Sequence, residues 1–349
     1  MVRLALLSIL LALLAVSCAS QKEVLNAAAL PPHHLPDGHF RNLDTSVAPI
    51  RDTMEADSLV PTHRTKLYAL PIVRGHEEWW EDSSKVTATW IGHSTYYIRW
   101  KGYGILTDPI FSKRASPVSF VGPKRGTPPG RDLDSLPGVD LVIISHDHYD
   151  HLDSRSVKKI HKKYPAAVFA VPFKVAEILE GWGIPEEQIV ERDWWQEAEV
   201  GEFKLTFLPV HHTSRRGLFK SSARTTLWGS WMLSREGRNV WFGGDLAMGD
   251  GSYYTQIAEK FAPLDAAFLP IGSYKPSRYT RQHVSPRQAA QLHVLLKSKK
   301  SLAMHWGTFG MVYDRLEDAP KDLARAREEL SIPEADFCVP KHGEIVELF

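Results

Sequence analysis

From residue 86 onward, short apolar runs recur along the chain. They fall at 86–91, 95–100, 103–107, 141–145, 167–171, 203–209, 225–233, 239–243, 266–269, 301–304, 336–339 and 344–348. Val, Ile, Phe and Trp fill them, and Gly, Pro, Asn or Asp bound many of them, so they predict strands. Stretches with helical spacing lie between them, at 154–164, 173–182, 252–261, 286–298 and 319–330. Ser285-Pro286 opens the fourth of these, with Ser as N-cap and Pro in the first turn. Lys101-Gly102 is a hairpin signal, and the Pro-, Gly- and Arg-rich segment 112–138 predicts a long loop of the kind that often lines a site. Strands alternating with helices at both ends predict two sheets packed together with helices on their outer faces.

The chain before residue 86 reads differently. Met1-Val2-Arg3 is a short positive start, and Leu4 to Val16 is an apolar run too short for an ordinary membrane span. Small residues and Cys18 follow, so residues 1–17 predict a secretory signal peptide. Leu14-Ala15-Val16-Ser17-Cys18 resembles the bacterial lipobox, which implies cleavage before Cys18 and lipidation of that residue. Ala19 leans toward outer-membrane sorting, so the expectation is a lipid-anchored envelope protein facing the periplasm. Residues 18–42 predict a tether that begins to dock near Gly38 to Asn42. One domain over 43–349 follows, with Trp79-Trp80 as packing anchors and a motif-bearing core over 86–349.

Composition adds bounds. The 349 residues are 43% hydrophobic and 24% charged, enough for a large core, and the net charge of +1 gives no electrostatic case for nucleic acid. Cys18 and Cys338 are the two cysteines, so a lipidated Cys18 leaves no intrachain disulfide. Lys158-Lys159 and Lys162-Lys163 at helical spacing read as a solvated face.

The chemistry concentrates after the run 141–145. Residues 146–151 read His-Asp-His-Tyr-Asp-His. Neutral imidazole is the commonest protein ligand for Zn²⁺, and such crowding is costly unless a cation compensates the carboxylates. A strand end with this many donors can fill parts of two adjacent metal sites. His212, Asp245 and His305 each follow another apolar run, where strands deliver functional groups to a shared edge.

These residues together resemble the metallo-β-lactamase fold, a four-layer αββα sandwich with a binuclear site between its sheets. Longer strings are similar to the N-acylphosphatidylethanolamine-hydrolysing phospholipase D family and its bacterial relatives. They are Thr89-Trp90-Ile91-Gly92-His93-Ser94-Thr95, Leu106-Thr107-Asp108-Pro109-Ile110-Phe111, Asp147-His148-Tyr149-Asp150-His151-Leu152-Asp153, Thr226-Leu227-Trp228-Gly229-Ser230-Trp231 and Met304-His305-Trp306-Gly307-Thr308-Phe309. The resemblance implies that His146, His148 and a third-motif His hold one metal. Asp150, His151 and His305 would hold the other, and Asp245 would bridge. The third motif offers His211 and His212. The family pattern Pro-x-x-His, with Pro209 and the turn Thr213 to Gly217, puts His212 at the ligand position and His211 beside it. His283 matches the family His that faces the scissile phosphate. The chain departs from the vertebrate phospholipase in its membrane-facing insertions and N-terminal region, so acyl preference does not carry over.

The implied chemistry is hydrolysis by a hydroxide shared between two divalent ions. N and O donors without thiolate suit two Zn²⁺, with Fe or Mn as alternatives. Asp150 would both ligate and orient the nucleophile, and His283 would assist at the phosphate or leaving group. The expected substrate is a phospholipid cleaved to a phosphatidate and an alcohol. The alternatives are a lactone, thioester or soluble phosphodiester hydrolase on the same fold, and a non-catalytic envelope lipoprotein with a structural metal. His93 reads as a neighbour of the site, Asp108 as a partner for a metal-bound His or a turn cap, and Tyr274 and Arg278 as residues at the mouth.

Overall fold

The structure is a computed structural model and describes residues 30–44, 68–217, 220–275 and 277–349. Residues 1–29, with Cys18 and the expected signal peptide, lie outside the described residues.

Two seven-stranded sheets form the frame. The first contains β1 (Val86–Gly92), β2 (Thr95–Trp100), β3 (Tyr103–Thr107), β4 (Leu141–Ile143), β5 (Val168–Pro172) and β6 (Ile189–Arg192). The second contains β7 (Glu197–Val200), β8 (Phe203–Leu208), β9 (Ser230–Arg235), β10 (Arg238–Phe242), β11 (Ala266–Pro270), β12 (Ser301–Met304) and β13 (Phe337–Cys338). The last strand, β14 (Ile345–Glu347), returns to pair with β1 at the edge of the first sheet. The orders are β14-β1-β2-β3-β4-β5-β6 and β13-β12-β11-β10-β9-β8-β7. Each sheet is antiparallel in one half and parallel in the other.

The period-two pattern explains the layers. Along β4, Leu141 and Ile143 point into the cluster shared with the second sheet. Val142 and its successor Ile144 point the other way, onto Val157 and Ile160 of α1 (Ser154–Lys163) and Leu179 of α2 (Ala176–Glu180). Over the second sheet, α3 (Ser252–Phe261), α4 (Pro286–Leu295) and α5 (Asp318–Leu330) bury Ile257, Leu292 and Leu323. The result is an αββα sandwich. Between the sheets sit Trp90, Trp100, Trp231 and Phe207, each at most 1% exposed. Burial of a large apolar side chain is worth about 1.5–3 kcal/mol, so these positions dominate stability. Helix starts follow local chemistry. Asp153 caps α1 by accepting from Ser156 N–H, and Ser285 with Gln288 forms a capping box ahead of Pro286.

Three expectations change. The helix expected over 173–182 is confined to Ala176–Glu180. The 225–233 run is strand only from Ser230, because Leu227 N–H donates to Phe173 O and Gly229 N–H crosses to Ser145 O, just past the end of β4. Strands β6 and β7 carry no strong apolar run: their sequences are Ile-Val-Glu-Arg and Glu-Ala-Glu-Val, at the sheet edges.

Residues 30–44 are a docked strap, not a free tether. His33 Nε2 and His34 Nε2 each lie 2.6 Å from the Asp193 carboxylate. Phe40 is 1% exposed, and its N–H donates to Arg224 O. Among the described residues, no helix is long and apolar enough to cross a membrane.

Candidate metal centre

The loop after β4 begins at Ser145, which is fixed by Asp108 on the neighbouring β3 exit. Asp108 accepts from Ser145 N–H at 2.7 Å and from Ser145 Oγ–H at 2.5 Å. Its φ of 34° turns the chain sharply enough to aim that carboxylate at β4. The same carboxylate lies 2.6 Å from His151 Nδ1 and accepts its proton. Nδ1 of His146 donates to Ser145 Oγ at 2.8 Å. Both contacts favour the ring proton on Nδ1, so that Nε2 of each ring would be the nitrogen turned to a metal.

The second sheet supplies the remaining donors. Asp245 follows β10 through Gly243-Gly244. Gly244 has φ 61°, and a Cβ there would come 2.5 Å from Ser145 Cβ, so glycine lets the two loops meet. His212 follows β8, and its Nδ1 donates to Gln282 O at 2.9 Å, leaving Nε2 for the centre. His305 follows β12 with φ 60°, and its N–H donates to His93 O at 3.0 Å.

All these side chains converge. Oδ2 of Asp245 lies 3.1 Å from His305 Nε2, 3.2 Å from His151 Nε2, 3.8 Å from His212 Nε2 and 4.0 Å from His146 Nε2. Two groups of potential ligands include this carboxylate, one with His146, His148 and His212 and one with His283 and His305, and a third group, His93, Asp150, His151 and His305, lies beside it. Asp150 Oδ2 lies 3.3 Å from His151 Nε2 and 3.6 Å from His305 Nε2. His93 Nε2 sits 2.9 Å from that same oxygen and orients it, in keeping with a neighbour of the site.

Burial sets the charges. It drives the imidazoles of His146, His148 and His212 below the ordinary histidine range, and His93 down to about 3. Burial opposes charge on His151 and His305 too, but Asp245 and Asp150 outweigh it. His151 is held well above its ordinary range and His305 is pushed up to about 9. Burial likewise opposes charge on Asp150 and Asp245, and His151 chiefly outweighs it, holding both well below the usual carboxylate range.

A cation fits this set. Among the described residues, Nε2 of His151, His212 and His305 and Oδ1 of Asp245 are buried without a hydrogen-bond partner. Buried polar atoms left unpaired are costly, and a cation among converging lone pairs and carboxylates removes that cost.

His211 and His212 part company. His211 turns away and places Nδ1 at 2.7 and 2.8 Å from the two oxygens of Asp44. His283 lies on the rim, with its ring 5.1 Å from that of His305 and Nδ1 at 3.8 Å from Asp245 Oδ2. Burial lowers it to about 4, so it is neutral at physiological pH. Tyr274 is not at the mouth: it is 6% exposed, and its hydroxyl donates to Asp322 on α5. Arg278 is exposed beside Tyr279. Asp44 and the Gln282 carbonyl were beyond sequence reasoning. Their partners lie 167 and 70 residues away, with no motif linking them.

Comparison with known proteins places the fold in a family. Residues 103–306 match the family model of the beta-lactamase superfamily domain. An uncharacterised protein of Mycobacterium tuberculosis is 37% identical over 319 residues, covering 89% of this chain and 83% of its own. N-acyl-phosphatidylethanolamine-hydrolyzing phospholipase D 1 of Caenorhabditis elegans is 34% identical over 290 residues, 80% of each chain. A metallo hydrolase of Ignicoccus hospitalis superposes with a TM-score of 0.55 at 22% identity, over 75% of this chain and 98% of its own. The chain belongs to the beta-lactamase superfamily of metal-dependent hydrolases and is a relative of the N-acyl-phosphatidylethanolamine-hydrolysing phospholipases D.

Proposed function

We propose that the protein is a dinuclear metal-dependent phosphodiesterase that cleaves a phospholipid in the manner of a phospholipase D. The observation that carries the metal centre is the convergence of four imidazoles on Asp245 Oδ2, three of them with unpartnered Nε2 atoms. In this reading His146, His148 and His212 hold one ion, and Asp150, His151 and His305 hold the second. Asp245 is shared. The donor set is all N and O, which suits Zn²⁺ and also Fe or Mn. The phospholipid assignment is supported by the relative in Caenorhabditis elegans named for that activity.

Divalent ions in such a site lower the pKa of water toward neutrality and offset negative charge on a phosphoryl group. The chain's own residues do the rest. Asp108 and Ser145 fix the ring tautomers before any substrate arrives. Asp150, oriented by His93, accepts a hydrogen bond from the attacking water and turns its lone pair to phosphorus. His283, neutral and half-buried on the rim, donates from one ring nitrogen to a phosphoryl or leaving oxygen. The bond broken lies between phosphorus and the alcohol oxygen, and the products are a phosphatidate and an alcohol.

The test is metal quantification on purified protein coupled to a lipid panel read by mass spectrometry. The expected result is two metal ions per chain and release of phosphatidate from N-acylphosphatidylethanolamine. Turnover confined to lactone or thioester probes would overturn the phosphodiesterase reading. We further propose attachment to the outer membrane, facing the periplasm, through lipid on Cys18. The mass of the mature N-terminal peptide checks this, and an unmodified cysteine there removes the anchor.

A further inference from the structure

We propose that the N-terminal strap is a working part of the site: Asp44, acting through His211, and Asn42, acting on the His212 carbonyl, are positioning residues that fix the direction in which His212 presents Nε2. This rests on the reading of His212 as a metal ligand.

The residues meet across most of the chain. Asn42 Nδ2 donates to His212 O at 2.9 Å, and Asn42 Oδ1 accepts from Trp228 Nε1 at 3.1 Å. That amide is therefore held at both ends and has one orientation. Asp44 places both carboxylate oxygens on His211 Nδ1, and its side chain is 1% exposed. A buried carboxylate is costly without a compensating partner. The fold nevertheless makes room for it. Gly249 has φ 56°, and a Cβ there would stand 1.7 Å from Asp44 Oδ2.

The grip continues into the metal loops. His211 O accepts from Ala247 N–H at 2.8 Å, two residues past Asp245. The Tyr253 hydroxyl on α3 accepts from Leu43 N–H at 2.5 Å and from Asp44 N–H at 3.3 Å and pins the strap between the two contacts. His211 is thus clamped between Asp44 and the Asp245 turn. His212 is clamped by Asn42 on its carbonyl and by the Gln282 carbonyl on its ring. A loop following an edge-proximal strand would otherwise have rotational freedom about this pair. Supports of this kind outside the ligand set typically contribute 10–100-fold to metal affinity or activity.

The experiment uses the full chain loaded with zinc. Zinc affinity is read by competition with a chromophoric chelator, and kcat and KM are read on bis(p-nitrophenyl) phosphate. Asp44→Ala is expected to weaken zinc binding about 10–100-fold and to lower kcat by a similar factor, with KM within about twofold. Asp44→Asn, which keeps an acceptor oxygen, is expected to recover part of the loss. The double variant Asp44→Ala/His211→Ala is expected to be no worse than the more damaged single variant. Asp193→Ala, which loosens the strap at its other end, is expected to lower the thermal midpoint and leave zinc affinity unchanged.

Wild-type zinc affinity and kcat in Asp44→Ala would overturn the proposal. So would losses that multiply in the double variant, or an equal loss of zinc affinity in Asp193→Ala. If Asp44→Ala does not fold, Asn42→Ala decides by the same criteria. A wild-type chain that binds no zinc sinks the metal centre itself, a result distinct from any of these.

Discussion

The 146–151 loop and the set His212, Asp245 and His305 reach the same centre by opposite routes. The loop is a single stretch at the end of β4, braced by a buried carboxylate: Asp108 holds Ser145 and His151 at once. The second set comes from three separate strand ends, and the groups in direct contact with its imidazoles and loops are carbonyls and hydroxyls, with the Asp44 carboxylate one residue removed on His211. Gln282 O holds the His212 ring. The His305 loop is held by Thr308, whose hydroxyl accepts from His93 N–H at 2.7 Å and lies 3.1 Å from His342 Nε2. One half is thus prearranged electrostatically and locally. The other depends on tertiary contacts being in place.

Asp245 is where the halves touch, so its loss should be the most damaging. Asp245→Ala is expected to remove measurable hydrolysis and reduce bound metal, because His146, His151, His212 and His305 lose the carboxylate that all four approach. Metal analysis and turnover check this together, and wild-type metal content would separate the halves into independent sites. Next comes His283→Ala. Its side chain makes none of the brace hydrogen bonds, so metal content should stay constant while kcat falls about 10²–10⁴-fold, the usual contribution of a positioned acid or base. Loss of metal in that variant would make His283 a ligand instead.

Asp108→Asn tests the electrostatic brace alone. The amide keeps the shape but cannot accept from Ser145 N–H, Ser145 Oγ–H and His151 Nδ1 as a carboxylate does. Activity and metal affinity should fall about 10–100-fold. A smaller loss than in Asn42→Ala would reverse the ranking of the two halves. Metal removal is milder for the fold. Ions that bind only the native state add about 2.7 kcal/mol at a free concentration 100 times Kd, so chelation should lower the thermal midpoint and zinc should restore it.

The contrast also explains what the sequence disclosed. The His-Asp-His-Tyr-Asp-His string was legible because one strand exit carries it, and Asp245 and His305 because each ends an apolar run. The choice between His211 and His212 could be made from the sequence only by family resemblance. Its physical basis is Asp44, far away in the chain and without periodicity. The strap reads as a tether because Pro31-Pro32-His33-His34 has no apolar repeat. It docks through His33 and His34 on Asp193, contacts that local patterning does not encode. Tyr274 reads as a mouth residue for the same reason, since its partner Asp322 sits on a helix met only in the folded chain.

The smallest expected effect concerns the neutral brace. His342 is 1% exposed, and burial, followed by the nearby Arg125, holds its pKa down to about 3. The unfolded chain titrates near 6.5, so between these values the unfolded state binds the extra proton. This group's contribution to stability is therefore complete above about pH 6.5 and is lost progressively as pH falls toward 3. His342→Gln keeps a polar side chain near Thr308 and removes the titration. Urea midpoints measured from pH 7 down to pH 4 should fall less steeply in the variant than in the wild type. An identical slope would mean that the brace on the His305 loop is not what acid attacks.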